Sequence, residues 1–255
     1  MLLTKKSYLT LLFTTIISLC CAQHTTRFAL ITDTHIAHND TQTSQHLQQI
    51  TQHINSVTDV DFVIITGDIT QHADTPSLLL AKQILDKLDM PYYVIAGNHD
   101  YHNGSNQLFK QVFGNDRFYF LLNNTAFIGC SAMPLQGTPE GIIADTTWKW
   151  IEQQLHSTSK TIMFTHYPIQ AGDIHNVDSV AQRLAQMNIN LIASGHYHRY
   201  MLTACLDIPN LIHRAPIRTG DNTIGYTLYE IETNTINIYE HICGREPNLW
   251  ITLPW

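Results

Sequence analysis

Five apolar stretches of this sequence stop abruptly and are followed closely by Asp, Asn or His. An apolar stretch of four or five residues with such an end is typical of a buried strand in a parallel sheet, where ligands bind beyond the carboxyl ends of the strands. One such stretch alone would more often lead into a turn or a helix cap. The stretches and the residues after them are 28–32 with Asp33 and His35, 62–66 with Asp68, 92–96 with Asn98, His99 and Asp100, 161–165 with His166, and 191–194 with His196 and His198.

Length and charge restrict the kind of protein and of partner. A chain of 255 residues with 44% hydrophobic content can bury a large core, which favours one domain with one active site. The net charge of -7, with only 14 Lys and Arg and no basic run, argues against a nucleic-acid polymer as partner. We therefore expect a small-molecule substrate. The oligomeric state is left open by the sequence.

The first 22 residues have the pattern of an export signal. Lys5 and Lys6 precede an apolar stretch at 8–19, which is short for a bilayer span, and Cys20, Cys21 and Ala22 follow it. The sequence thus predicts a signal peptide at 1–22, a folded domain at 23–255 and a secreted, periplasmic or cell-envelope location. A lipid anchor on Cys20 or Cys21 is the alternative and would be the only membrane attachment, although both are poor lipobox sites.

Three cysteines remain after the predicted cleavage: Cys130, Cys205 and Cys243. An odd number cannot form a complete disulfide framework. Two alternatives stay open, namely a Cys205–Cys243 bridge or three buried free thiols.

Strand and helix patterns alternate along the chain and give way to strands near its end. Apolar spacing predicts helices at 41–57, from Pro76 onward, at 106–113, after a capping Asp145 and at 179–187. Further strands are predicted at 118–122, 125–130, 224–231 and 236–242. This order indicates an α/β fold of two stacked mixed sheets flanked by helices.

The residues after the strands are suitable ligands for a divalent metal. On extended chain, Asp33 and His35 would point to one side, as would His196 and His198. Carboxylate, amide and imidazole donors suit hard or borderline divalent ions. The seven candidates are too many for one tetrahedral ion and suit two ions that share Asp68: Asp33, His35, Asp68, Asn98, His166, His196 and His198.

Taken in order, these motifs resemble the calcineurin-like metallophosphoesterase superfamily, in particular its class III cyclic-nucleotide phosphodiesterase-like branch. The resemblance implies a four-layer α/β/β/α sandwich with two divalent ions, which could be Mn, Fe or Zn. It assigns Asp33, His35, Asp68 and His198 to the first ion. It assigns Asp68, Asn98, His166 and His196 to the second, and it directs Asn98 and His99 to the substrate phosphate.

Two departures from related families narrow the class of enzyme. An Asp-Arg-Gly extension would mark a Ser/Thr protein phosphatase, but Ile69 and Thr70 follow Asp68 here, which disfavours that class. A Tyr three residues after the shared Asp would mark the iron site of a purple acid phosphatase, and Gln71 at that position argues against such a site.

The sequence therefore predicts a dinuclear metal-dependent phosphoesterase acting on a small phosphodiester or phosphomonoester of nucleotide or phospholipid head-group type. A hydroxide bridging the ions would attack phosphorus. We expect His99 to be a catalytic acid that serves the leaving group, and Asp100 to keep its ring charged. The alternative is a non-catalytic metal- or phosphate-binding protein on the same fold. Six aromatic residues are expected to lie outside the site, as surface or packing residues: His38, His72, His102, Tyr167, His175 and Tyr197.

Overall fold

The computed structural model describes residues 25–155, 160–217 and 222–255, so the predicted signal peptide lies outside the described residues. Five α-helices lie within these ranges: α1 (Thr41–Ser56), α2 (Thr75–Leu85), α3 (Gln107–Phe113), α4 (Asp145–Gln154) and α5 (Val177–Leu184). They are accompanied by fourteen strands: β1 (Thr26–Ile31), β2 (Phe62–Ile65), β3 (Tyr92–Val94), β4 (Arg117–Leu122), β5 (Thr125–Cys130), β6 (Met133–Pro134), β7 (Gly141–Ile142), β8 (Lys160–Phe164), β9 (Leu191–Ser194), β10 (Met201–Cys205), β11 (Ile208–Ile212), β12 (Gly225–Ile231), β13 (Thr235–Ile242) and β14 (Asn248–Pro254).

Local capping explains where the first two helices begin. The Asp40 carboxylate accepts a hydrogen bond from the Gln42 backbone N–H at 2.8 Å and starts α1. Asp74 does the same for α2 through Ser77 at 2.9 Å, and Pro76 lies in its first turn. The predicted cap of α4 is wrong: Ala144 occupies the cap position, and Asp145 is the first helical residue.

Two six-stranded mixed sheets form the centre of the molecule. The first sheet has the order β14-β13-β12-β1-β2-β3, in which β1, β2 and β3 run parallel. The second has the order β10-β11-β9-β8-β5-β4, in which β5, β8, β9 and β11 run parallel. The parallel strands therefore bring their carboxyl ends to one edge of each sheet.

Three separate apolar cores show that the molecule has four layers. Phe28 and Leu30 of β1 pack between the sheets against residues of β5, β8 and β9. Ala29 and Ile31, on the other face of β1, pack against α1, α2 and α3. A third core lies between the second sheet and the helices α4 and α5. Both faces of the central strands are buried, which explains their unbroken apolar sequences and confirms the predicted α/β/β/α sandwich.

All three described cysteines are free. Cys205 is buried in the core beneath α4 and α5, whereas Cys243 packs against the core beneath α1, α2 and α3. These cores lie on opposite outer sides of the two sheets, so the suggested Cys205–Cys243 bridge is excluded by the fold.

None of the helices in the described part of the chain is long and apolar enough to cross a membrane.

Candidate metal centre

The candidate ligands lie in the loops that follow β1, β2, β3, β8 and β9, at the carboxyl edge of both sheets. Backbone hydrogen bonds join neighbouring loops, from Asp33 N–H to the Gly67 carbonyl and from Gly195 N–H to the His166 carbonyl, both at 3.0 Å. A side chain at Gly195 would overlap the Asp33 carboxylate. The glycine thus allows two loops to approach closely enough to share one site.

The backbone at this edge is strained. Asp33, His35, Asp68, His196 and His198 all have positive φ, between 45° and 72°, which is uncommon for residues other than glycine. The expectation that the Asp33-x-His35 and His196-x-His198 pairs lie on extended chain is therefore wrong. Left-handed turns bring their side chains to the site instead.

Asp33, His35 and His198 form one group of converging ligand atoms. The His198 Nε2 atom lies 3.3 Å from an Asp33 carboxylate oxygen, and the Nε2 atoms of His35 and His198 are 3.2 Å apart. Asp33 is buried and is held by the Thr32 hydroxyl at 2.8 Å and by the backbone N–H of His196. The group is thus fixed at a loop junction.

Asp68 connects this group to a second one. Its Oδ2 atom lies 3.7 Å from His35 Nε2 and 3.3 Å from His166 Nε2. The His166 Nε2 atom is also 3.0 Å from Asn98 Oδ1, while its Nδ1 atom contacts the Thr66 carbonyl at 2.9 Å. A carbonyl can only accept, so Nδ1 carries a proton and Nε2 is the nitrogen that faces Asp68 and Asn98.

The His196 imidazole occupies a more peripheral place. Its ring lies 5.2 Å from that of His166, and its Nε2 atom is 3.8 Å from an Asp173 carboxylate oxygen. Asp173 is buried and accepts hydrogen bonds from the Tyr197 hydroxyl at 3.0 Å and from the Gln170 amide at 2.7 Å. This separation is too long for a hydrogen bond, but the negative charge of Asp173 raises the basicity of the His196 ring.

Sequence reasoning missed Asp173, because an Asp in a glycine-containing loop most often makes a turn. It also placed Tyr197 among packing residues, yet this side chain is 37% exposed and holds Asp173. Tyr167 is buried as expected, and its ring lies 4.7 Å from that of His196.

The charges of the site favour a cation. Burial alone would raise the pKa of Asp68, but His166, His99 and His35 lower it well below its usual range. Burial would lower the pKa of His166, and Asp68 raises it instead. Burial lowers the pKa values of His35 and His196, so these rings are neutral ligands at neutral pH. Two buried carboxylates among several imidazoles are a donor set that fits divalent ions of the Mn, Fe and Zn type.

Asp100 has a different position from the one expected. It is fully buried, and its carboxylate accepts hydrogen bonds from the backbone N–H groups of Ile69, Thr70 and Gly97. It therefore joins the loops after β2 and β3. The His99 Nδ1 atom instead contacts the Gln71 carbonyl at 2.9 Å, so the carbonyl and not Asp100 orients this ring.

His99 lies beside the ligand groups. Its ring is 4.7 Å from that of His35. One of its nitrogens lies within 4.8 Å of a ligand atom of Asp68 and of one of His35. Its backbone N–H also donates to Asp68 at 2.8 Å. The four histidines that were predicted to be surface residues are exposed: His38, His72, His102 and His175.

Comparison with known proteins gives this arrangement a family context. The family model for calcineurin-like phosphoesterases matches residues 26–200, which include all the candidate ligands. A probable glycerophosphodiester phosphodiesterase from Arcobacter nitrofigilis is 28% identical over 201 residues, covering 68% of this chain and 72% of its own. A probable cyclic nucleotide phosphodiesterase from Xenorhabdus bovienii is 20% identical over 207 residues, covering 69% and 82%.

Among solved structures, a dimetal phosphatase from Danio rerio has a similar fold. The TM-score is 0.69 at 12% identity, over 90% of this chain and 99% of the other. At this identity the similarity concerns the fold alone.

Proposed function

This chain belongs to the calcineurin-like phosphoesterase family, and from that premise we propose that it hydrolyses a small phosphodiester or phosphomonoester with two bound divalent metal ions. The observation that carries the proposal is the position of Asp68. Its carboxylate lies within 3.7 Å of His35 on one side and 3.3 Å of His166 on the other, so one carboxylate can serve two ions.

The proposed ligands divide around Asp68. Asp33, His35 and His198 would complete the first site, and Asn98, His166 and His196 would complete the second. When bound, two such ions neutralise charge on phosphate oxygens and make water nucleophilic near neutral pH. Other residues position these ligands. The Thr32 hydroxyl donates to Asp33, and the Thr66 carbonyl accepts from the His166 ring. The Asp173 carboxylate lies 3.8 Å from His196.

His99 is the proposed acid. Its Nδ1–H is engaged by the Gln71 carbonyl, which leaves Nε2 available to donate a proton to the departing alkoxide.

A diester is the favoured substrate class. Two curated relatives carry names that describe phosphodiesterases, one for glycerophosphodiesters and one for cyclic nucleotides. Neither identity reaches the level at which a substrate could be transferred, so both classes belong in the test.

We also propose export from the cytoplasm, with the mature chain starting near Gln23. The alternative is a mature chain that begins at Cys20 or Cys21 and carries a lipid there. This rests on the basic and apolar pattern of the first 22 residues. N-terminal sequencing and intact mass of protein from the native host test it, and a product that retains Met1 would contradict export.

The activity is tested with purified protein incubated with Mn²⁺, Fe²⁺ or Zn²⁺ and given bis(p-nitrophenyl) phosphate and p-nitrophenyl phosphate. We expect metal-dependent hydrolysis, with the diester preferred, and a loss of activity after chelation. Two bound ions without turnover on any phosphoester would favour a non-catalytic binding protein.

A further inference from the structure

A cavity of about 240 Å³ opens beside the candidate metal centre. Asp33, His35 and His198 form its floor, and these are the ligands proposed for the first ion. Asn98, His166 and His196 do not line it. The cavity therefore lies on one side of the centre, where it can receive only one of the two substituents of a phosphodiester.

Helix α1 forms one wall of this cavity. Gln42, Thr43 and His46 line it from the first two turns of the helix, with Gln42 and His46 four residues apart on one face. The side chains of Gln42 and His46 form no hydrogen bond to another residue within the described ranges. The Gln42 amide has both a donor and an acceptor. Burial lowers the pKa of His46, so its ring is neutral and also offers one donor and one acceptor.

Another part of the lining is apolar and is held in place by a buried arginine. It consists of Ala215, Pro216 and Ile217. The buried Arg214 donates to the carbonyls of Ala215 at 3.1 Å and Pro216 at 3.2 Å, and it pairs with Glu240 at 2.6 Å. This part of the lining is thus anchored before any ligand enters, which lowers the cost of ordering it on binding.

The two parts of the lining select for a particular chemistry. Neutral groups that both donate and accept are suited to hydroxyls, and apolar residues in the same cavity are suited to the C–H groups of the same substituent. Among the described lining residues there is no Lys or Arg that could hold a second phosphate or a carboxylate.

We propose that this cavity is the subsite for a neutral, hydroxyl-bearing alcohol substituent of the phosphodiester, with Gln42 and His46 contacting its hydroxyls. The proposal rests on the proposed phosphodiesterase function and adds the alcohol class to it. Glycerol and a nucleoside sugar share this chemistry, and the two are separated by the choice of substrate.

The test compares p-nitrophenyl diesters that have one leaving group and different alcohols: 2,3-dihydroxypropyl, propyl and thymidine 5′. The wild-type protein should prefer the dihydroxypropyl ester to the propyl ester about tenfold or more in kcat/KM, because two hydroxyls gain partners. Gln42→Ala and His46→Ala should each reduce that preference about three- to tenfold, because kcat/KM falls more for the dihydroxypropyl ester than for the propyl ester, which has no hydroxyls to lose.

Gln52→Ala is the matched control, since Gln52 is an exposed glutamine of the same helix that does not line the cavity. Metal content should be unchanged in all three variants. If the variants instead reduce the preference for the thymidine ester over the propyl ester, the subsite stands with a sugar as its occupant.

Equal kcat/KM of the wild-type protein for all three esters, or equal losses on all three in the variants, would overturn the subsite and leave the phosphoesterase function intact. Failure of the metal-loaded wild-type protein to hydrolyse any of them would overturn both proposals.

Discussion

The two ends of the sheets differ in what they can bind. At the amino end of β1 and β8 lies a cavity of about 570 Å³, more than twice the volume of the one beside the metal centre. Its lining is mainly Thr and Asn, and its charged residues are Lys160 and Glu232. The carboxyl end instead gathers two buried carboxylates, several imidazoles and five strained backbone positions. Buried charge and strain, rather than volume, distinguish the candidate site.

The largest effect should come from Asp68→Asn. Because Asp68 is the proposed shared ligand, we expect loss of both ions and a fall in kcat of more than about a hundredfold. Asn98→Ala should chiefly remove the second ion. Metal counting on purified variants, together with turnover, is the measurement.

Glu232→Gln makes the same carboxylate-to-amide change at the opposite end and should leave metals and rate unaltered. The contrast between the ends would fail if Asp68→Asn kept two tightly bound ions and near-normal turnover.

A loss of about 10² to 10³ in rate is expected for His99→Ala on an alkyl phosphoester, since the alkoxide then departs without a proton donor. The loss on a p-nitrophenyl ester should be much smaller, because that phenolate needs little protonation. Measuring kcat/KM on both esters beside metal content separates the roles. Equal losses would indicate positioning, and a missing ion would make His99 a ligand.

Lowering the pH should reduce the folding stability of the protein through His213, which lies near this same end. Its buried ring contacts the Ser194 carbonyl at 2.8 Å and the Tyr229 hydroxyl at 2.6 Å, and burial lowers its pKa to about 4. A lowered histidine pKa means that the unfolded state binds the proton first, so stability is lost as the pH falls from about 6.5 towards 4. The loss from this group is about 3 kcal/mol at most.

Denaturant unfolding at pH 7 and pH 4.5 measures that loss. The variant His213→Phe should be less stable at pH 7, because it leaves two polar partners unpaired, but its stability should change less between the two pH values. An identical pH dependence in both proteins would contradict the assignment.

The smallest effect is expected for Asp173→Asn, which keeps the shape of the side chain but removes the negative charge beside His196. Affinity for the second ion should fall about tenfold, with the first ion unaffected. Asp173→Glu should restore part of that affinity. Metal titration followed by calorimetry provides the measurement, and a reduced thermal stability with normal metal affinity would give Asp173 a purely structural role.

Edge strands show one limit of reading the sequence. The predicted strands at 62–66 and 191–194 lie inside the sheets with a neighbour on each side, where both faces are buried and the sequence is mostly apolar. The strands β10 and β14 lie at sheet edges, with residues such as Leu202 and Leu249 about half exposed. Their boundaries were not predicted, since a half-exposed edge strand leaves no continuous apolar signal.

The sequence by itself determined the layers of the fold and the residue types at the strand ends, because burial on two faces and metal ligation both restrict which residues a position accepts. Only the tertiary structure decided how those residues meet. Left-handed turns at Asp33 and His198 direct the ligands, the Gln71 carbonyl rather than Asp100 orients His99, and Asp173 stands behind His196. These contacts join loops that are far apart in the chain, and a local sequence pattern does not indicate which distant loops will come into contact.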